Sequence, residues 1–310
     1  MLSRIAEALF WIGRYVERAD DTARILDIHT HLLLEDPWAD SEMVCRSLLS
    51  IMHQNEPPSD KPLDLETVLD LMVRDKNNAS SIVGALLAAR ENARRARESI
   101  SSELWEALNT TRNDVAYNAA TMVPHEFFMW VQNRAAIVAG LIDSSISRDQ
   151  TWQFIMLGRS IERADMTARL LTIRAQLGDA GPSWTTLLRS CGAHEAFLRV
   201  HRGTVDDHDA AGFLLRDQLF PRSIVSALAR ADASLRALEP GEGRREVHDE
   251  AVRQLGLIRT DLEYLKLDDL VRDLPMTTSR VQRACSIASQ VIGDRYFPSA
   301  ISTKWVGGAL

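Results

Sequence analysis

Cysteine is scarce in this chain, which has three such residues among 310. Cys45, Cys191 and Cys285 are odd in number, lie far apart and form no Cys-x-x-Cys pair. This spacing favours buried free thiols over disulfides or metal ligands, and it is typical of a cytoplasmic protein.

Long apolar runs are also missing. The longest, residues 135–142, is far below the roughly 18 residues that a bilayer span needs. Arg4 and Glu7 interrupt the apolar pattern of the first residues, which is not typical of a signal peptide. The chain has 36 basic and 43 acidic residues, and no polybasic segment lies apart from acidic neighbours. We therefore expect no membrane and no nucleic acid as a main partner.

Familiar catalytic motifs are absent as well. The sequence has no HExxH, P-loop or GxSxG pattern, and no histidine follows a glutamate by three residues, as a di-iron bundle would require. The acidic run 206–209, which contains His208, is interpreted as a solvated loop and helix cap. The sequence thus predicts no metal site and no cofactor, and it leaves the question of enzymatic activity open, with the balance against it.

Proline is confined to the boundaries between periodic segments. All ten prolines fall there and none interrupts a helical pattern. Because proline breaks helices, this placement predicts an all-α chain.

One charged stretch occurs twice. Residues 13–26 read GRYVERADDTARIL, and residues 158–171 read GRSIERADMTARLL, with ten of fourteen positions identical. A second match has nearly the same offset. In it, Arg74-Asp75 corresponds to Arg216-Asp217, and residues 81–83 correspond to residues 223–225. The two matches indicate a duplication of whole halves. We predict a bundle of about ten helices in two pseudo-symmetric repeats, residues 1–148 and 149–298, followed by a tail at 299–310.

The charges of this repeated helix form the main candidate site. They lie one helical turn apart, where they are neighbours on the helix surface. One interpretation is a set of salt bridges that joins the two halves across a seam. The other is a polar cleft in which arginines bind a carboxylate or phosphate. The residues are Arg14, Glu17, Arg18, Asp21, Arg24, Arg159, Glu162, Arg163 and Arg169.

A second group of candidates lies where later helices should begin. Asp75 and Ser81 precede one helix, and Asp217, Arg222 and Ser223 precede its counterpart, with Pro221 expected in the first turn. Capping of these helices explains the residue types. The alternative is an anion site at the helix N-termini.

The paired Glu-Arg helices resemble the bacterial alpha-E domain family. The resemblance covers essentially the whole chain and rests on residues 10–19, 81–105, 158–169 and 220–223. It implies association with circularly permuted ATP-grasp proteins and transglutaminase-like proteins, and hence with a system that forms or cleaves amide bonds. It supplies no catalytic residues.

Three hypotheses about function follow. The leading one is a non-catalytic accessory or substrate-binding component of an ATP-grasp-linked amide-ligase system, with Arg14, Arg18, Arg159 and Arg163 binding an anion or an acidic segment. The second is an enzyme of amide-bond formation or cleavage, in which Glu17 or Glu162 is a general base with a raised pKa. The third is a purely structural scaffold, whose seam would tolerate replacement of Arg18 by Met together with Glu162 by Leu.

Overall fold

The chain is all-α, as its sequence predicts. The computed structural model describes residues 1–35, 40–58, 62–178, 181–239 and 249–298, and within them it has fourteen α-helices and no strand. The predicted tail, 299–310, lies outside the described residues. The helices are α1 (Ser3–Glu35), α2 (Ser41–Ile51), α3 (Leu65–Leu69), α4 (Ile82–Arg95), α5 (Ser102–Thr121), α6 (Pro124–Ser145), α7 (Gln150–Leu177), α8 (Trp184–Ser190), α9 (His194–Val200), α10 (Asp207–Arg216), α11 (Ile224–Leu238), α12 (Glu250–Tyr264), α13 (Leu267–Arg272) and α14 (Leu274–Tyr296).

The predicted number of about ten helices is too low. Helices α8, α9 and α13 have only six or seven residues each, too few to show a helical period in the sequence. Residues 250–272 form two separate helices, α12 and α13. Helix α3 continues into a π-helical turn, Asp70–Arg74.

Side-chain caps set most of the helix starts. Serine and aspartate side chains accept a backbone N–H of the first turn at α2, α3, α4, α5, α7, α8, α10, α11 and α12. Pro124 and Pro275 lie in the first turns of α6 and α14. Pro221 does not, although the sequence predicted it there. Helix α11 begins after the cap Ser223, and Pro221 belongs to the preceding turn.

Helices α1 and α7 form the centre of the bundle. The contacts between them join residues at a nearly constant offset, from Met1 N with Gln150 Oε1 to Arg163 with Glu17, so the two helices run in the same direction. Helices α4 and α6 pack on α1, whereas α11 and α14 pack on α7. Leucine, isoleucine and alanine side chains fill the interior, and Cys45, Cys191 and Cys285 are buried free thiols, as predicted.

None of the described helices is both long and apolar enough to cross a bilayer.

Two glycines allow α1 and α7 to touch backbone to backbone. A Cβ atom at Gly13 would overlap the carbonyl oxygen of Ile155, and one at Gly158 would overlap that of Phe10. Both glycines open the repeated stretch. The shared Gly-Arg therefore has a packing role, because only glycine permits so close an approach.

Replacement of Gly13 by alanine is expected to separate the central helices. The added methyl overlaps backbone rather than a flexible side chain, so Gly13→Ala should lower the free energy of unfolding by about 2–3 kcal/mol in urea titrations. Gly140 of α6 is a matched control, since nothing lies within 4 Å of its Cβ position. There alanine should stabilise by roughly 0.5–1 kcal/mol. Equal stability of the two variants would contradict this account of the α1–α7 contact.

Candidate functional site

Glu162 of α7 lies between two arginines of α1. Arg14 Nε donates to Glu162 Oε2 at 2.6 Å, and Arg18 donates to both oxygens, from Nε at 2.5 Å and from Nη2 at 3.1 Å. The glutamate is only 1% exposed. Its carboxylate therefore receives three charged hydrogen bonds from the opposite helix.

Glu17 of α1 has the reciprocal environment. Arg163 donates from Nε to Oε1 at 2.6 Å and from Nη2 to Oε2 at 2.9 Å, and Arg159 Nε donates to Oε2 at 3.0 Å. We call these six residues the Glu-Arg seam: Arg14, Glu17, Arg18, Arg159, Glu162 and Arg163. The seam is closed and paired at both glutamates.

The two seam glutamates are held ionised. Burial alone would raise the pKa of Glu162, but the charges and hydrogen bonds of Arg14 and Arg18 outweigh it and lower that pKa to about 2. Burial would likewise raise the pKa of Glu17, but the charges of Arg163, Arg222 and Arg159 outweigh it and lower that pKa. Both shifts are opposite to the raised pKa that a general base at Glu17 or Glu162 would need.

Arg222 contacts the seam at Glu17. From the sequence, Arg222 was predicted instead, with Ser223, as part of a possible anion site at a helix N-terminus. It contacts Glu17 Oε1 at 3.2 Å and Asp21 Oδ1 at 3.5 Å, and it donates a short hydrogen bond to Asp20 Oδ2. Burial opposes the charged form of Arg222, but these three carboxylates outweigh it and raise its pKa. The guanidinium therefore stays charged.

Asp21, which lies beside the seam, differs from the two seam glutamates. Its carboxyl is buried, and Oδ2 has no hydrogen-bond partner. Burial raises its pKa, Arg222 opposes the rise, and the charges of Glu17 and Asp20 add to it, so that the pKa is about 8. Met166 occupies the matching position of the second copy. This acid thus belongs to one half only.

The outer charges of the repeated helix pair within their own helix. Arg24 lies 3.3 Å from Asp20, and Arg169 lies 2.6 Å from Asp165. Arg169 also donates to the carbonyl of Ile51 at 3.4 Å. These contacts extend the charged region of α1 and α7 beyond the seam.

The second group of predicted residues caps helices. Ser81 Oγ accepts from Gly84 N at 2.9 Å and donates to the carbonyl of Asp75, and Ser223 and Asp217 repeat the arrangement before α11. The turns that they stabilise reach the seam through main-chain oxygens: Arg18 donates to the carbonyl of Ala79 and Arg163 to that of Pro221, each at 3.3 Å.

Two cavities open beside the Glu17 end of the seam. The first, about 280 Å³, has Glu17, Asp20, Arg24, Arg159 and Arg222 on one side. Its other side is an apolar face of α6 that includes Ala135, Ala136 and Ala139.

The second cavity, about 630 Å³, is lined by four arginines and two acids, and we call it the arginine cavity. These residues are Arg159, Arg163, Arg230, Arg259, Asp143 and Glu263. Sequence reasoning missed Arg230 and Arg259, because both lie outside the repeated stretches and nothing in the sequence shows that their helices meet the seam.

Removal of one seam glutamate is expected to cost far more than removal of the whole ion-pair cluster. Glu162→Gln leaves Arg14 and Arg18 buried without a carboxylate, and it should lower the free energy of unfolding by about 3–5 kcal/mol. Because Arg14 also binds Glu162, removing every charge of the Glu162 cluster requires three changes rather than two. Arg14→Met with Arg18→Met and Glu162→Leu should recover most of the loss.

The control for this comparison is Glu91→Gln. Glu91 is exposed and pairs with Arg94 on the surface of α4, so its loss should cost less than about 1 kcal/mol in the same denaturant titrations. A Glu162→Gln protein as stable as the Glu91→Gln protein would show that the seam does not carry the stability assigned to it.

Asp21 predicts a dependence of stability on pH. A folded-state pKa of about 8, above the unfolded value, gives a contribution that is fully present below about pH 4 and is lost as pH rises through about 8. Asparagine does not ionise. Between pH 5 and pH 9, the free energy of unfolding of Asp21→Asn should therefore increase relative to that of the wild type by about 1 kcal/mol or more, as measured in urea titrations. A difference that stays constant over this range would refute the raised pKa.

Comparison with known proteins gives distant relatives. Uncharacterised proteins of Mycobacterium bovis and of Mycobacterium tuberculosis strain CDC 1551 are each 23% identical over 271 residues, which cover 77% of this chain and 30% of the relative. A third, from M. tuberculosis strain H37Rv, is 22% identical over the same length. This chain thus spans under a third of the length of the curated relatives it matches. No solved structure matches the chain.

The duplicated Glu-Arg pair of the seam is the feature by which one family is described. That family is Alpha-E, "a predicted alpha-helical domain with a conserved ER motif", and it matches residues 1–297. The match covers nearly the entire chain, which therefore belongs to the Alpha-E family.

Proposed function

We propose that this chain is a non-catalytic, substrate-binding accessory component of an ATP-grasp-linked system that forms amide bonds on peptides or amino acids. Its partners would be a circularly permuted ATP-grasp protein and a transglutaminase-like protein. Membership of the Alpha-E family supports the assignment. The length of the mycobacterial relatives agrees with it, since the matched region is one part of a larger protein there.

The arginine cavity carries the binding part of the proposal. Arg159 and Arg163 present only part of their guanidinium groups to Glu17 and also line the cavity. Arg230 lies over the ring of Trp152, with its Cζ 6.0 Å from the ring centroid. Among the residues that the structure describes, no acid lies within salt-bridge distance of Arg230. Such a guanidinium has its hydrogen-bond donors available for a carboxylate or phosphate.

The remaining arginine of the cavity is also weakly engaged. Arg259 lies 3.9 Å from Asp232 and 4.0 Å from Glu263, and its buried Nε has no hydrogen-bond partner. Four arginines face two acids around this cavity, so its charge favours an anion. Amino acids, peptides and acyl phosphates all carry such a group.

The chemistry of the seam argues against catalysis by its glutamates. A general base must exchange a proton near neutral pH, whereas three donated hydrogen bonds keep each of Glu17 and Glu162 ionised. The proposal therefore assigns the chemical step to the partner and the positioning of its anionic substrate to this chain.

We also propose that the chain consists of two pseudo-symmetric repeats, residues 1–148 and 149–298. The order of the long helices supports this. Helices α1, α4, α5 and α6 have counterparts in α7, α11, α12 and α14 at offsets close to that of the repeated stretch. The reciprocal glycine contacts and reciprocal Glu-Arg pairs support it as well.

Reconstitution with the ATP-grasp partner tests the function. Co-purification of the two proteins, followed by ligase assays, should give a stable complex and faster turnover than the ATP-grasp protein alone. Arg230→Gln should raise the KM for the anionic substrate about tenfold or more, with kcat little changed. Arg253→Gln is the matched control, because Arg253 is exposed on α12, pairs with Glu250 and does not line the cavity. No complex, together with unchanged turnover, would reject the proposal.

The closed pairing of the seam favours one alternative, a purely structural scaffold. Both glutamates are saturated by arginines, as a joint between two halves requires. The same assay separates the two functions. A scaffold would lose nothing on Arg230→Gln, whereas a substrate-binding component would show the raised KM.

A further inference from the structure

Two histidines and an aspartate meet at the end of α1 that lies beyond the seam. Asp27 and His31 are one turn apart on α1, and His125 is the second residue of α6. His125 Nδ1 lies 2.8 Å from Asp27 Oδ1, and His31 Nδ1 lies 3.3 Å from the same oxygen. The two imidazole rings are perpendicular, with centroids 4.7 Å apart. One carboxylate oxygen therefore faces two imidazole nitrogens.

We propose that Asp27, His31 and His125 bind a divalent transition-metal ion of the zinc type. One donor atom from each residue lies within 4.8 Å of the other two. Zinc binds imidazole nitrogen and carboxylate oxygen at about 2.0–2.2 Å, so its ligands lie roughly 3–4 Å from one another. The distances from Asp27 Oδ1 to the two Nδ1 atoms, 2.8 and 3.3 Å, are close to that separation. Two imidazoles and one carboxylate suit zinc, cobalt or nickel better than magnesium or calcium.

The exposure of the three side chains suits a metal site that is reached from solvent. The Asp27 side chain is 11% exposed, which fixes its position, whereas those of His31 and His125 are 42% and 54% exposed and leave an entry path from solvent. His31 Nδ1 also lies 2.8 Å from the carbonyl oxygen of Asp27, a hydrogen bond that the ring gives up when Nδ1 binds an ion. When Nδ1 of a neutral imidazole binds the ion, the ring proton resides on Nε2.

The site borders a cavity of about 660 Å³. Asp27 and His31 line it together with Arg24, Arg189, His194 and Glu195. Three protein ligands leave at least one position of a tetrahedral ion open, and a water molecule or a ligand in the cavity has room to fill it. This arrangement is typical of zinc sites that bind an exchangeable group.

Two other acidic clusters are poorer candidates. Glu17, Asp20 and Asp21 are already neutralised by Arg222 and the seam arginines. Asp206, His208 and Asp209 offer one imidazole, and its Nε2 lies 2.8 Å from Asp268. A second histidine, His201, lies 3.2 Å from Asp209, but its donor atoms do not converge with those of the other three residues. His208 thus makes the same kind of His-carboxylate contact in a cluster that shares no residue with the proposed site, which suits it as a matched control.

Calorimetric titration of the metal-free full chain with Zn²⁺ tests the proposal, and the visible absorption of bound Co²⁺ reports the ligand set. The wild type should bind one ion per chain. His125→Ala and Asp27→Asn should each weaken binding at least tenfold, whereas His208→Ala should leave the dissociation constant unchanged.

Two results would overturn the site. One is a wild-type protein that takes up no ion, and the other is binding lost in His208→Ala but kept in His125→Ala. His125→Asn serves if the alanine variant unfolds, because asparagine retains a hydrogen-bond donor for Asp27. The experiment uses the isolated chain, so its outcome is separate from that of the ligase reconstitution.

Discussion

The burial of two glutamates governs this fold. Removing a carboxylate from water costs several kcal/mol, and the cost is offset only if opposite charges and hydrogen bonds meet it in good geometry. Glu17 and Glu162 each satisfy that condition with two arginines of the other central helix. A displacement of α1 along α7 by one turn would leave each glutamate with one arginine in place of two, because the paired arginines lie one turn apart. The seam therefore fixes the register of the helix pair as well as its existence.

The glycines and the charges of the seam depend on each other. Gly13 and Gly158 let the two backbones touch, and this proximity brings the arginines within reach of the opposite glutamates. Arginine suits the task because its planar fork meets a carboxylate with two N–H groups at once. The Glu17 end carries more charge than the other, since Asp21 and Arg222 add to it and Met166 replaces the acid in the second copy. The two cavities beside the seam open at that same end.

Sequence reasoning identified the helical class and the charges of the seam because both repeat along the chain. Proline placement and the duplicated stretch are local signals, and no long-range information is needed to read them. The position of Arg222 is different. Its neighbour Ser223 is recognisable in the sequence as a helix cap. Arg222 itself lies some 200 residues from Asp20 and Asp21, and it reaches them only because α11 packs on α7. The position of Arg230 in the arginine cavity and the Asp27–His125 contact likewise depend on packing between helices that are distant in sequence. Short helices such as α9 have too few residues to show a helical period.

The sequence distance across the seam has a consequence for synthesis. The arginines that pair with Glu17 lie 142 and 146 residues further along the chain, so they are synthesised after it. At translation rates of about 5–20 residues per second, that interval lasts roughly 7–30 s. During it the apolar face of α1 and its charges exist without their partner helix, so the first half must remain hydrated or be sheltered until α7 emerges. The meeting of α1 with α7 is thus a closure over a long loop, which the Glu-Arg pairs complete.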